Sequence, residues 1–343
     1  MQTSKIIMVL FFLAGLALLG VMVWQVGLVD LLESFGVMGS WIAPYLLLRV
    51  IPICVHAAGW AACFPGCRLP LWQLVLVGRA GSAINQVTPT ATIGGEMVKV
   101  LLLEPAVPRE QAMAAVVIDK ASTALAKMFY LALGMLYLAQ HLPLPGELQL
   151  SLSLTIGLIS LGLIGFVVFQ RYGALSKLVQ YLGRLKIGQE WLQRLNRHLV
   201  PLDTQLMAYY TCYPWRFVRS LLLHFVAYTF DAVKTYILLR LLLGASAPTI
   251  AEAIMVAVAV AALDQMFFFV PGRIGTLEGA RFLILSGLGV AQIYGLAFGL
   301  IARVEHLVWS GVGMLAYGWC TRFSSSPVVG KPQEVMPDRP GCA

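Results

Sequence analysis

Asn85-Gln86-Val87-Thr88-Pro89-Thr90-Ala91-Thr92-Ile93-Gly94-Gly95-Glu96 is the stretch on which the fold turns, because the chain says nearly the same thing again 182 residues later, as Phe268-Phe269-Val270-Pro271-Gly272-Arg273-Ile274-Gly275-Thr276-Leu277-Glu278-Gly279. In both copies a proline ends an apolar run, glycines follow, and a glutamate stands seven residues after the proline. Proline removes a backbone donor and glycine accepts φ > 0, so Pro89, Gly94 and Gly95, and then Pro271, Gly272 and Gly275, each predict one helix ending and another beginning. In hydrocarbon such a break survives only where it faces protein or a watery cavity.

The surrounding composition is that of a polytopic helical membrane protein. Hydrophobic residues make up 59% of the 343, charged residues 12%, and the mean hydropathy is +0.82, which excludes an ordinary soluble domain. A crossing needs about 20 apolar residues. The runs that qualify are Ile6–Val23, Trp41–Phe64, Gln111–Ala139, Leu150–Gln170, Phe217–Leu243 and Gln292–Trp319, while Leu71–Val87 and Ile250–Val270 each run into a break. The expected architecture is an all-α integral membrane protein of six full transmembrane helices plus two re-entrant helical hairpins. The first run is expected to be an anchor rather than a cleaved signal.

Charge orients this arrangement. If each broken segment enters and leaves by the same side, the connections near 24–40, 140–149, 244–252 and 287–291 hold no Lys or Arg, whereas those on the other side hold fifteen of the 24 basic residues. The positive-inside rule then places both termini in the cytoplasm. The span preceding the first break and that preceding the second are separated by an odd number of crossings, so repeat 1 (about 41–139) and repeat 2 (about 217–319) should be inverted. The net charge of +8 is concentrated in the 171–216 connection and its edges, which reads as a basic amphipathic segment against anionic lipid headgroups rather than a nucleic-acid surface. Residues 323–343, rich in Ser and Pro, read as a disordered tail. Trp24, Trp41, Trp215 and Trp319 fall at span ends, where interfacial rings are expected.

Each charge inside a span costs about 3 kcal/mol on insertion scales and is a functional candidate by default. Arg49, Arg79, Asp119, Lys120, Lys127, Asp231, Lys234, Arg240, Asp264, Glu278, Arg281, Arg303 and Glu305 qualify. Asp231 and Lys234 stand i, i+3 and are placed to neutralise one another. The pairs Asp119-Lys120 and Arg303 with Glu305 recur at similar distances after the two breaks and are expected to line a polar cavity. A helix starting after Thr92 or Thr276 presents free N–H groups suited to phosphate, with the hydroxyl available as a cap. Glu96 and Glu278 fall in the first turn of those helices, either to complement the dipole or to hold a cationic headgroup or a proton. Arg79, Arg273 and Arg281 are natural phosphate partners. Asn85 suits either the broken backbone or a headgroup. Gly295-xxx-Gly299 reads as helix packing. The six cysteines and five histidines lack metal-ligand spacing and no phosphate-binding loop is present, so no cofactor and no enzymatic activity are expected, with Glu305-His306 the one acid/base pair to test.

Arg79, Asn85, Pro89 and Gly94-Gly95-Glu96, followed by Asp119-Lys120, then Pro271-Gly272, Gly275-Thr276 and Glu278, then Arg303, resemble the transmembrane domain of the lysylphosphatidylglycerol synthase family, the flippase-like membrane proteins. The likeness spans about 5–320, and the segment 1–322 is read as this domain. The resemblance implies a bacterial cytoplasmic-membrane protein that moves an amphipathic lipid between leaflets. In the bifunctional members, the multiple peptide resistance factors, this domain flips an aminoacylated lipid made by a separate synthase domain. That domain is expected to be missing here, and aminoacyl transfer with it. By this reading Glu96, Glu278, Asp119, Lys120, Arg303, Asn85, Arg79 and Arg273 serve the headgroup. A non-transporting accessory subunit for a lipid-modifying or glycosyl-transferring enzyme is the alternative.

Overall fold

The computed structural model describes residues 29, 36, 39–65, 67–87, 93–104, 106–141, 146–172, 189–266 and 275–323. The first span, Pro89, Pro271, Gly272, Arg273, the basic stretch 173–188 and the tail beyond 323 lie outside them. Among the described residues the regular structure is entirely helical: α1 (Ile42–Leu48), α2 (Val50–Ala61), α3 (Leu71–Val87), α4 (Ile93–Leu103), α5 (Arg109–His141), α6 (Gly146–Arg171), α7 (Gln189–Cys212), α8 (Pro214–Leu243), α9 (Ile250–Met266), α10 (Thr276–Gly287) and α11 (Gln292–Phe323).

The described helices flank both expected interruptions, whose prolines lie outside the described residues. α3 ends at Val87 and α4 begins at Ile93; α9 ends at Met266 and α10 begins at Thr276. Two stretches, Gly39–Ala61 and Pro214–Ser246, are long and apolar enough to cross a membrane on composition alone. The 33-residue α5 and 32-residue α11 are about 50 Å long at 1.5 Å per residue, but each carries charges in its middle. A small break separates α1 from α2 because Pro52 lacks the N–H that would bond Leu48, and Arg49 occupies the resulting turn.

The outside of the bundle is apolar. On α6, Leu150, Leu154, Leu158 and Leu161 follow one helical face and are 57–69% exposed, while Trp41, Trp215 and Trp319 at helix ends are also exposed. Lys99, Asp119, Lys234, Glu278 and Glu305 are buried. Apolar outside with charge inside inverts the soluble pattern and suits lipid as solvent.

Packing follows the 182-residue spacing of the motif. α2 and α8, which occupy corresponding places in the two halves, lie antiparallel: Arg49 meets Asp231, His56 meets His224 and Cys63 meets Ser220. One core gathers Ala57, Trp60, Leu74, Leu103, Ala114, Ala115 and Val116. A second gathers Leu239, Leu242, Val256, Leu285, Leu296, Ala297 and Phe298, each 182 positions on from its counterpart. The first lies toward the C-terminal end of α2, the second toward the C-terminal end of α8. α3 packs on α11, and α9 on α5.

Close approach within the helix pairs depends on glycine. A Cβ on Gly95 would lie 2.0 Å from the Gly81 carbonyl oxygen and 2.5 Å from the Asn85 side chain. Gly295 and Gly299 bring α11 against the backbone of Phe282 and Glu278, so this spacing does serve helix packing. Gly95→Ala should therefore lower the melting temperature in detergent by several degrees, whereas Gly78→Ala, one turn before Ser82 on α3 with nothing within 4 Å of the added methyl, should leave it unchanged or raise it.

Candidate functional site

Where the antiparallel α2 and α8 cross, the bundle holds a partly open cavity of about 370 Å³. Each half supplies walls: Tyr45 and Arg49 with Arg79, Ser82 and Gln86 from α3, and Tyr130 from α5; then Tyr228, Asp231 and Lys234 from α8, Asp264 from α9, Arg281 from α10, and Glu305, His306 and Trp309 from α11. The volume is within the range of small-molecule sites, but the lining is unusual in holding four Lys/Arg and three carboxylates.

Most of these charges are paired. Arg49 Nη1 donates to Asp231 Oδ1 at 2.8 Å, and its Nε lies 3.7 Å from Glu305. Lys234 donates to Glu305 and lies over the Tyr45 ring at 5.3 Å. The expected pairing of Asp231 with Lys234 along one helix face gives way to these partners, because both side chains reach across to other helices. Arg281 is held more loosely, with Nη1 donating to the Leu277 carbonyl at 2.9 Å and Nη2 3.7 Å from Asp264. Arg79 donates to Ser82 Oγ at 3.1 Å, and Ser82 Oγ donates to the Gly78 carbonyl at 2.8 Å. Arg240, near the end of α8, is exposed, as a snorkelling residue should be.

The two first-turn glutamates lie beside the breaks and outside this lining. Glu96 receives Lys120 at 2.8 Å and Lys99 at 3.0 Å. The Asn85 amide bridges the break: Oδ1 accepts from the Gly95 N–H at 2.6 Å while Nδ2 donates to Glu96 at 3.3 Å. Glu278 is fully buried and accepts a forked pair of bonds from Arg303, Nε at 2.5 Å and Nη2 at 3.1 Å. It also takes the Gly275 N–H at 2.9 Å. Gly275, at φ +76°, occupies the cap position in place of the Thr276 hydroxyl expected from sequence. That backbone conformation favours glycine. Each break is thus tied to the long helix that follows it by a glutamate–cation pair, Glu96–Lys120 and Glu278–Arg303.

The remaining candidates divide between these places. Arg79 lines the cavity; Asn85, Gly95 and Gly275 stand at the edges of the breaks, and Gly94 lies in the first turn of α4. Of the recurring charged pairs expected to line a cavity, only Glu305 does so. Asp119 turns instead to His224, whose Nε2 is 3.0 Å from Oδ1, and His224 Nδ1 lies 2.7 Å from His56 Nδ1. This Asp119–His224–His56 chain was not singled out in the sequence, since its members come from three helices with no shared spacing. Arg49 and Asp231 stand 182 residues apart, the motif's own offset, and that arithmetic is the signal by which they are recognisable as partners. A basic cleft lined by Arg68, Arg216 and Arg219 opens at the junction of α2 and α8.

No curated protein and no solved structure matches the chain. A family model described as the lysylphosphatidylglycerol synthase TM region matches residues 6–312. With the apolar exterior, buried charges and paired helix breaks, that match over most of the sequence gives the identity: the chain is a membrane protein belonging to the lysylphosphatidylglycerol synthase TM region family.

Proposed function

We propose that this protein moves an amphipathic lipid between the leaflets of a bacterial cytoplasmic membrane, the headgroup passing through the central cavity while the acyl chains stay in the bilayer. The observation that carries the reading is a charged cavity, bordered by helices from both broken pairs, inside a bundle with an apolar surface. A polar headgroup cannot cross hydrocarbon unaided at useful rates, and a lined polar path lowers that cost. In this reading α3–α4 and α9–α10 are re-entrant hairpins of two inverted halves, with both termini cytoplasmic. Support comes from the antiparallel α2 and α8, the two cores matched at 182 residues, and the Arg49–Asp231 contact between corresponding positions. Corresponding residues of two halves meet each other only close to a two-fold axis.

The direct test is dithionite quenching of fluorescent phospholipid in vesicles reconstituted with the purified protein. Wild type should accelerate exchange over protein-free vesicles, and Ala261→Trp, which fills the cavity wall, should reduce that acceleration at least tenfold. Exchange no faster than in empty vesicles sinks the proposal. Glu96→Gln and Glu278→Gln should each slow exchange while the protein stays folded. Of the two, Glu278→Gln should lower the melting temperature more, since it strands a guanidinium against a fully buried site. If Arg49 and Asp231 straddle an axis, exchanging them should be tolerated: Arg49→Asp and Asp231→Arg alone should each destabilise, and the double variant should regain most of the lost melting temperature.

A further inference from the structure

We infer that Asp119, His224 and His56 form a proton-binding site, loaded through His56, that couples transport by this protein to proton uptake. The coupling rests on the translocation reading; the site itself does not.

The three side chains come from α5, α8 and α2 and stand outside the cavity lining. Asp119 Oδ1 is 3.0 Å from His224 Nε2, and His224 Nδ1 is 2.7 Å from His56 Nδ1. A contact between two ring nitrogens holds one hydrogen, so the tautomers of the two rings are linked. With Asp119 ionised, His224 donates from Nε2 and accepts at Nδ1. His56 then donates from Nδ1, and a lone pair is left on its Nε2. The chain thus has a basic end at His56, which is half-buried and lies edge-on to the cavity-wall residue Tyr228, ring centroids 5.3 Å apart. Its other end, Asp119, is buried together with His224.

One proton enters this chain without breaking it. The proton binds His56 Nε2, and the hydrogen on His56 Nδ1 passes to His224 Nδ1. The product is a neutral His56 beside a His224 imidazolium, which donates to Asp119 from one nitrogen and to His56 from the other, and the cluster goes from one negative charge to none. Neighbouring charges favour that resting place. Arg49 and Arg79 repel a positive charge on His56, whereas Lys99 and Lys120 hold negative charge on Asp119; His224 lies between. Tyr228 on α8 and Cys63 on α2 also face the chain. A purely structural tie between α5 and α8 needs no titratable group, and one already exists a turn away, where Ser122 and Ser220 are 2.9 Å apart. Loading also strengthens the Asp119–His224 bond, since a charge-assisted pair is roughly twice as strong as a neutral one. The residue after Asp119 is Lys120, which holds Glu96 at the first break, so a charge gained at His224 acts beside the interrupted helix.

The site is tested by nitrogen NMR of the full-length, detergent-purified wild type carrying isotope-labelled histidine, with His56→Gln and His224→Gln used to assign the rings. On acidification of the folded protein, His56 should exchange its Nδ1 hydrogen for one on Nε2 in the same transition in which His224 gains a second N–H. His56 keeping its Nδ1 hydrogen, with His224 keeping a single N–H, overturns the site. The coupling is tested in vesicles holding the protein and a fluorescent phospholipid, with a pH gradient imposed in either direction and potassium with valinomycin clamping the voltage. Wild type should redistribute the lipid between leaflets by about tenfold per pH unit when one proton accompanies one lipid. His56→Gln and His224→Gln should still exchange lipid but lose the redistribution, and Asp119→Asn should lose a response that Asp119→Glu partly recovers. Even distribution in wild type under the gradient, or redistribution surviving both histidine variants, overturns the coupling. The tautomer change without leaflet exchange in any vesicle upholds the site and defeats the translocation reading; exchange with neither tautomer change nor response to the gradient does the reverse.

Discussion

The Arg49–Asp231 ion pair is the contact about which the rest of the bundle is arranged. It joins α2 to α8 where the two antiparallel helices cross, and it closes one side of the central cavity. Its geometry depends on a backbone detail, since Pro52 weakens the helix one turn earlier and leaves Arg49 in a turn rather than in a continuous helix. Toward one end of the crossing lies the core built around Trp60 and Leu103, and toward the other the core built around Leu242 and Leu285. Dispersion and close packing hold those ends, while charge is confined to the middle.

That distribution is a consequence of the solvent. Lipid gives apolar side chains no reason to hide, so Leu154 and Leu158 stand exposed on α6, and helix association falls to small-residue packing and polar contacts. Gly81 against Gly95, and Gly299 against Glu278, bring backbones close enough for the neighbouring polar groups to reach one another. The forked Arg303–Glu278 bond and the Asn85 bridge to Gly95 are made at these close approaches. Asn85 accepts the Gly95 N–H and Glu278 the Gly275 N–H, donors that a broken helix would otherwise leave bare.

The buried charges therefore do two kinds of work. Glu96 and Glu278 are surrounded by cations and by backbone N–H or amide donors, and tie each break to the long helix after it. Unsatisfied atoms remain in the cavity, on Tyr130, Asp264 and Arg281, and at the first break, on Glu96 Oε2, whereas Glu278 is fully matched. Saturated networks rigidify, whereas unsatisfied ones are where a ligand has something to gain.

The all-helical membrane class, both breaks, the 182-residue repeat and the small-residue packing at Gly295 and Gly299 were legible in the sequence, because each is written in local chemistry: apolar run length, proline and glycine, and spacing along one helix. Part of the list of buried charges was legible too, since an ionisable residue in an apolar run stands out, but Lys99 and Asp203 are buried without having been on it, and Lys120 and Arg240 were on it and are exposed. The partners of the buried charges were not legible. Asp231 and Lys234 are neighbours on one helix face, yet one bonds Arg49 and the other Glu305, because side-chain pairing inside a bundle is decided by which helices cross and at what register. For the same reason Glu96 and Glu278 could be named from the motif, while the position of the cavity beside Arg79 and Arg281, and the chain from Asp119 through His224 to His56, followed only from tertiary packing, which alone brings residues more than a hundred positions apart within hydrogen-bonding reach.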